Sequence, residues 1–177
     1  MKFRSFAFLI PALLTAGDWS PPVEVRNDDQ LCVTYRARWD GEQLAVQAKL
    51  EPGWHTFAMD NKERQDVKLA GKPSLGVEKP TALQVTGGLA VEGSWMQTSP
   101  KDFSKPELRW FSWGFDDEAL FVAKARKAGS DPIQVTIKGQ ACSGSICKNV
   151  TVTVPLDAAG AGEKINSTGL VPLVTAR

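Results

Sequence analysis

Period-two alternation of apolar and polar residues is the feature that most narrows the folds open to this chain. In "QLCVTYRAR", Leu31, Val33, Tyr35 and Ala37 share one face, with Cys32, Thr34, Arg36 and Arg38 on the other. "WDGE" turns the chain, and "QLAVQAKL" repeats the alternation with Leu44, Val46, Ala48 and Leu50 inward. An Asp-Gly pair between two alternating runs predicts a β-hairpin. "PGWHTFAMD" adds a Pro-Gly turn and an aromatic strand, residues 71–94 read as short strands and turns, and "DPIQVTIKG" and "NVTVTVPL" are the clearest strands. Many short strands separated by frequent turn signals point to an all-β sandwich.

Two segments resist that pattern. "DDEALFVAKARKAG" has the alanines of a helix, with Asp116 to start it and Gly129 to stop it, yet its neighbours are strands. Both readings stay open. Residues 95–115, "WMQTSPKDFSKPELRWFSWGF", hold prolines and many aromatics with neither period. They read as a long aromatic loop, which is unusual because loops ordinarily carry polar residues.

The N-terminus joins a basic "MKFR" to an apolar run, "SFAFLIPALLTA". That run has the length of a signal-peptide core and is too short to span a bilayer. The expected organisation is a signal peptide over 1–17, one domain over 18–157 and a tail over 158–177. The expected protein is exported and not embedded in the membrane. A net charge of +1 without a Lys/Arg run gives no reason to expect nucleic acid as a partner.

Export changes how the three cysteines are read, because disulfides persist outside the cytosol. If Cys142 pairs across a hairpin with Cys147, the same register sets Ile137 opposite Val152, Val135 opposite Val154 and Ile133 opposite Leu156. Every inward apolar residue then finds an apolar partner. Without a bulge, both cysteines share the face opposite that apolar row; a bulge at Gly139 would break the counting. Closing a loop of about six residues stabilises by only roughly 2 kcal/mol in the chain-entropy estimate. A structural staple and a redox pair both fit this local chemistry.

The other chemistry-bearing residues are sparse. His55 is the single histidine, so a metal cluster or a Ser-His-Asp triad lacks material. It packs on an aromatic strand or serves as base to a cysteine. Cys32 falls on the polar side by alternation, as a half-buried bystander or a reactive thiol. The tryptophans as a sugar platform, and Met59, Met96, His55 and the cysteines as copper ligands, lack a supporting motif. No cofactor is expected.

The stretch "IQVTIKGQACSGSICKNVTVTVPL" resembles the end of the N-terminal periplasmic domain of the thiol:disulfide interchange protein DsbD. "EPGWHTFAMD" is similar to an aromatic strand of that family, and 95–121 looks like the segment that carries its cap loop. The resemblance covers roughly residues 30–157. It implies an immunoglobulin-like β-sandwich with a long aromatic cap loop and a thiol:disulfide oxidoreductase activity in the periplasm. Electrons would pass from a separate membrane or periplasmic thiol donor to oxidised periplasmic proteins. Carried over, Cys147 matches the cysteine that forms the mixed disulfide and Cys142 the resolving one. Phe111 and Trp113 are expected in the cap, with Trp54, His55 and Phe57 lining the site. The linker lacks the family's acidic residue, and Lys148 and Asn149 stand where prolines often follow. Lys148 beside Cys147 would favour its thiolate. The alternative is a non-catalytic immunoglobulin-like binding module whose hairpin disulfide is structural.

Overall fold

The computed structural model describes residues 19–70, 72, 75, 78–144, 146–156 and 163–175. The segment expected to be a signal peptide, 1–17, lies outside the described residues. In chain order the elements are β1 (Val23–Asn27), β2 (Gln30–Trp39), β3 (Gln43–Leu50), β4 (His55–Phe57), α1 (Asn61–Leu69), β5 (Ala82–Thr86) and β6 (Leu89–Gln97). There follow β7 (Lys101–Asp102), a 3-10 turn (Pro106–Leu108), β8 (Trp113–Phe115), β9 (Glu118–Lys127), β10 (Ile133–Ser143), β11 (Ile146–Leu156) and β12 (Val171–Pro172). No helix among the described residues is long and apolar enough to cross a membrane.

The strands form two antiparallel sheets, the all-β sandwich expected. One runs β1-β2-β3-β9-β6-β12; the other runs β11-β10-β4-β8-β7, with β5 also on β10. The core between them takes the residues that alternation turned inward: Val33, Tyr35, Ala37, Leu44, Val46 and Ala48 from the first sheet, Ile133, Val135, Ile137 and Val154 from the second. All of these are at most 2% exposed. Removing that much aliphatic and aromatic surface from water is the main force holding the layers together.

The ambiguous segment is strand β9. Alanine favours helix in isolation, but Ala119, Phe121, Ala123 and Ala125 alternate into the interior, and β9 is hydrogen-bonded to β3 and β6 on its two sides. Sheet pairing on both edges overrides intrinsic preference.

Cys32 does not lie on the polar side. The β1–β2 register steps from Val25↔Val33 to Arg26↔Leu31, leaving Cys32 unpaired in β1. An extra residue of this kind bends the strand and re-aims its side chain. Cys32 is therefore fully buried in the main core, where burial pushes its thiol pKa up.

The long aromatic loop expected over 95–115 is also more ordered than its sequence implies. Trp95, Met96 and Gln97 belong to β6. The rest folds as a small hairpin: Lys101 pairs with Gly114 and Asp102 with Trp113, and a backbone bridge joins Lys105 to Trp110 around the 3-10 turn. Arms of two and three residues are too short to show a period.

Candidate functional site

The strands β10 and β11 pair without a break from Ile133↔Leu156 to Ser143↔Ile146, with Ile137↔Val152, Val135↔Val154 and Cys142↔Cys147 between. No bulge intervenes at Gly139. The turn closes in two residues, and Gly144 supplies its left-handed φ of +57°, a conformation glycine adopts without steric cost. Cys142 and Cys147 are disulfide-bonded, their Cα atoms 4.1 Å apart.

The two sulfurs differ in environment. Cys142 is 2% exposed, whereas Cys147, Ile146 and Lys148 on the edge strand are exposed. Because neighbouring residues on a strand face opposite ways, Lys148 is directed away from Cys147; it stands opposite buried Ala141, and its charge reaches the Cys32 thiol.

Cys142 faces the outer side of the second sheet. Cys142 stands directly opposite His55 on β4, as Ala141 does opposite Thr56. The inward partners, Ala141 and Thr56, are buried, so Cys142 and His55 project together to the outer face. His55 and Phe57 meet edge to face at 5.4 Å, and the ring of Phe103 lies 5.3 Å from His55 at a tilt of 50°. Thr81 donates its hydroxyl to the Phe57 carbonyl at 2.6 Å. On the same face as Cys142, Gln140 accepts from the Lys79 amide at 2.9 Å and donates to Asn149 at 3.3 Å. The 79–81 segment is thereby tied across the strands beside the disulfide.

His55 is half-buried, and burial lowers its pKa, with Asp116 acting in the opposite sense. Asp116 is itself paired with Lys101 at 2.5 Å.

The expected lining residues divide between two faces. His55 and Phe57 lie on the outer face with Cys142. Trp54 is in the sandwich core, 2% exposed, its indole N–H without a hydrogen-bond partner among the described residues. Alternation from His55 places it on the opposite side of the strand. Trp113 likewise packs against the core, on the β8 face it shares with Phe115. Phe111 is half-buried, and its carbonyl accepts from Gln65 at 2.7 Å. The hairpin residue that meets the His55 ring is Phe103, which the sequence did not single out. The register Lys101↔Gly114 sorts it onto the outer face, a fact legible only once the two arms are known to pair.

Helix α1, also absent from the sequence reading, holds this hairpin in place. Asn61 is fully buried and accepts from the Trp113 amide at 2.8 Å, while Gln65 binds Phe111. The helix carries no apolar stripe to announce it. Its run of good helix formers, Lys62 to Gln65 after Asp60, was the available signal.

Among the described residues, no group of three or more His, Cys, Asp or Glu comes together that could hold a metal ion. No family model and no curated protein matches this chain. Among solved structures it is similar to the reduced N-terminal domain of DsbD from Neisseria meningitidis, at 13% identity and a TM-score of 0.49, over 74% of this chain and 87% of that one. That is the domain family its cysteine hairpin resembles in sequence, and at this identity and score the likeness assigns no role to any residue here.

Proposed function

We propose that this protein is a thiol-disulfide exchange protein working through Cys142 and Cys147, exported to the periplasm. The observation that carries the reading is the unequal burial of the two bonded sulfurs. Exchange proceeds by in-line attack of a thiolate on one sulfur, and access decides which. Cys147 stands at the exposed edge, so an incoming donor thiolate attacks Cys147 Sγ. The Cys142–Cys147 bond breaks, and Cys142 Sγ leaves with the electron pair. The donor's second thiolate then attacks its own mixed disulfide, releasing Cys147. Two electrons have now entered the pair.

Delivery runs in the opposite sense. The Cys147 thiolate attacks an acceptor disulfide, forming a mixed disulfide on Cys147. Cys142 attacks Cys147 Sγ and expels the acceptor thiolate. The donor is a membrane or periplasmic dithiol protein and the acceptors are oxidised periplasmic proteins. The 101–115 hairpin acts as the cap, with Phe103 over His55 limiting thiol access to Cys142.

The reduction potential of the pair tests this reading. Equilibration in graded thiol/disulfide buffers, acid quenching and counting of free thiols by mass should give a value between about −180 and −270 mV, as for known exchange proteins. A pair still oxidised below about −300 mV would be a staple, and a binding module with a structural disulfide would replace the relay.

A further inference from the structure

We propose that His55 is the proton-transfer partner of Cys142, taking the thiol proton when Cys142 attacks the mixed disulfide and returning it when Cys142 is the leaving sulfur. This rests on the exchange reading above and adds to it the group that manages charge at the buried sulfur.

The problem His55 answers is set by burial. A thiolate formed at a position 2% exposed loses most of its hydration, which raises the pKa of the thiol and slows attack. An acceptor for its proton must therefore come from the protein. Sheet register supplies one: Cys142 has Cys147 across from it on one side and His55 on the other. Directly opposed residues on one face of an antiparallel pair have Cβ atoms roughly 4.5–5.5 Å apart, so an imidazole and a thiol there meet side by side.

The surroundings keep His55 fit for that task. Phe57 and Phe103 hold its ring from two directions, fixing its orientation. The charged residue acting on it is Asp116 from the end of β8, which is engaged with Lys101; the β10 and β4 neighbours on this face, Gln140 and Phe57, carry no charge. Burial lowers the imidazole's pKa and so favours the neutral form, the one that can accept a proton. The proton count balances: Cys142 S–H plus imidazole gives thiolate plus imidazolium, and the imidazolium returns its proton to the leaving thiolate in the reverse step.

Because His55 is the chain's one histidine, its ring resonance in an NMR titration is unambiguous. In the dithiol protein that resonance should show a second inflection coinciding with Cys142 thiolate formation, as coupled groups do. The inflection should persist in Cys147→Ser and vanish in the disulfide form and in Cys142→Ser. A single, identical titration in all four samples would overturn the pairing.

The kinetic arm uses oxidised glutathione as probe and follows resolution of its mixed disulfide on Cys147. His55→Gln and His55→Phe should slow that step by about tenfold or more at pH 7, with the rate recovering as pH rises toward the thiol's own ionisation. His55→Phe keeps an aromatic ring in the stack, which separates proton transfer from packing. Wild-type rate and pH profile in both variants would sink the proposal. If the pair proves to be a staple that strong reductants barely open, the exchange reading itself has failed and the proton-transfer role with it. Normal exchange with an unaltered pH profile would instead count against His55 alone.

Discussion

The outer faces of the two sheets are covered in opposite ways. On the first sheet the C-terminal segment 163–175 lies over Ala45 and Val122, with Ile165 packed between them and β12 paired to β6. Two buried carboxylates pin it: Asp40 accepts from the Ile165 amide and Asp60 from the Val174 amide, at 2.8 and 2.7 Å. On the second sheet the 101–115 hairpin is itself paired to β4, Thr56↔Phe115 and Phe57↔Gly114, and bonded by α1 at the Phe111 and Trp113 backbones, and it meets His55 through Phe103. Charge-assisted bonds in a buried setting are strong and costly to break; a single aromatic contact is worth about 1 kcal/mol. The strap is pinned by charged groups, whereas the hairpin's contact with His55 is aromatic and uncharged.

Removing a pin should have the largest effect on stability. Asp60 is 1% exposed and holds Arg64, Gln97 and Val174 together. Asp60→Ala leaves those donors unsatisfied, and urea unfolding should show a loss of about 3 kcal/mol. A loss below about 1 kcal/mol would mean the strap is held by its apolar contacts.

Acid should loosen the same cover. Burial pushes the Asp60 carboxyl up, but the bonds from Arg64, Val174 and Gln97 outweigh it and hold the pKa below the usual range. Asp40 behaves alike, with Ile165, Glu42 and Gln43 amides prevailing over burial. Groups with depressed folded-state pKa values contribute stability above their unfolded pKa of about 3.9, and lose it as pH falls through the folded values. Amide exchange at Ile165 and Val174 should therefore accelerate relative to β10 amides below about pH 4. Equal acceleration in both would erase the contrast between the two covers.

A smaller change is expected on the disulfide side. Phe103→Ala should leave the unfolding midpoint within about 1 kcal/mol of wild type while speeding reduction of the disulfide by dithiothreitol, by about threefold to tenfold. Unchanged reduction would show that the hairpin does not guard the pair. The smallest effect belongs to Lys148→Ala. Its side chain alternates away from Cys147, so the Cys147 reaction rate with a neutral thiol reagent should move by less than about twofold. A tenfold fall would show that its charge reaches the sulfur after all.

Much of the site was legible because a two-residue period carries its own check. The apolar row of 133, 135 and 137 accepts one register against 152, 154 and 156, and that register delivers Cys142 to Cys147. The same rule failed at Cys32, where a bulge adds one residue and reverses the parity. It also left Trp54 and His55 undivided, since aromatic character does not reveal that neighbours on β4 serve different faces. The 101–115 hairpin and α1 stayed hidden for another reason: short arms and a polar helix are held by contacts with distant residues, such as Asn61 with Trp113.

Sequence alone therefore determined the β-sandwich class, the pairing of the cysteine hairpin and the sharing of one face by its two sulfurs, because these follow from local alternation and a tight turn. Only the tertiary structure decided which cysteine is buried, that His55 stands opposite it with Phe103 against the imidazole, and that the C-terminal segment closes the opposite sheet. Those outcomes depend on which strand lies beside β10 and on carboxylates meeting amides more than a hundred residues away in the chain, relations that no local pattern encodes.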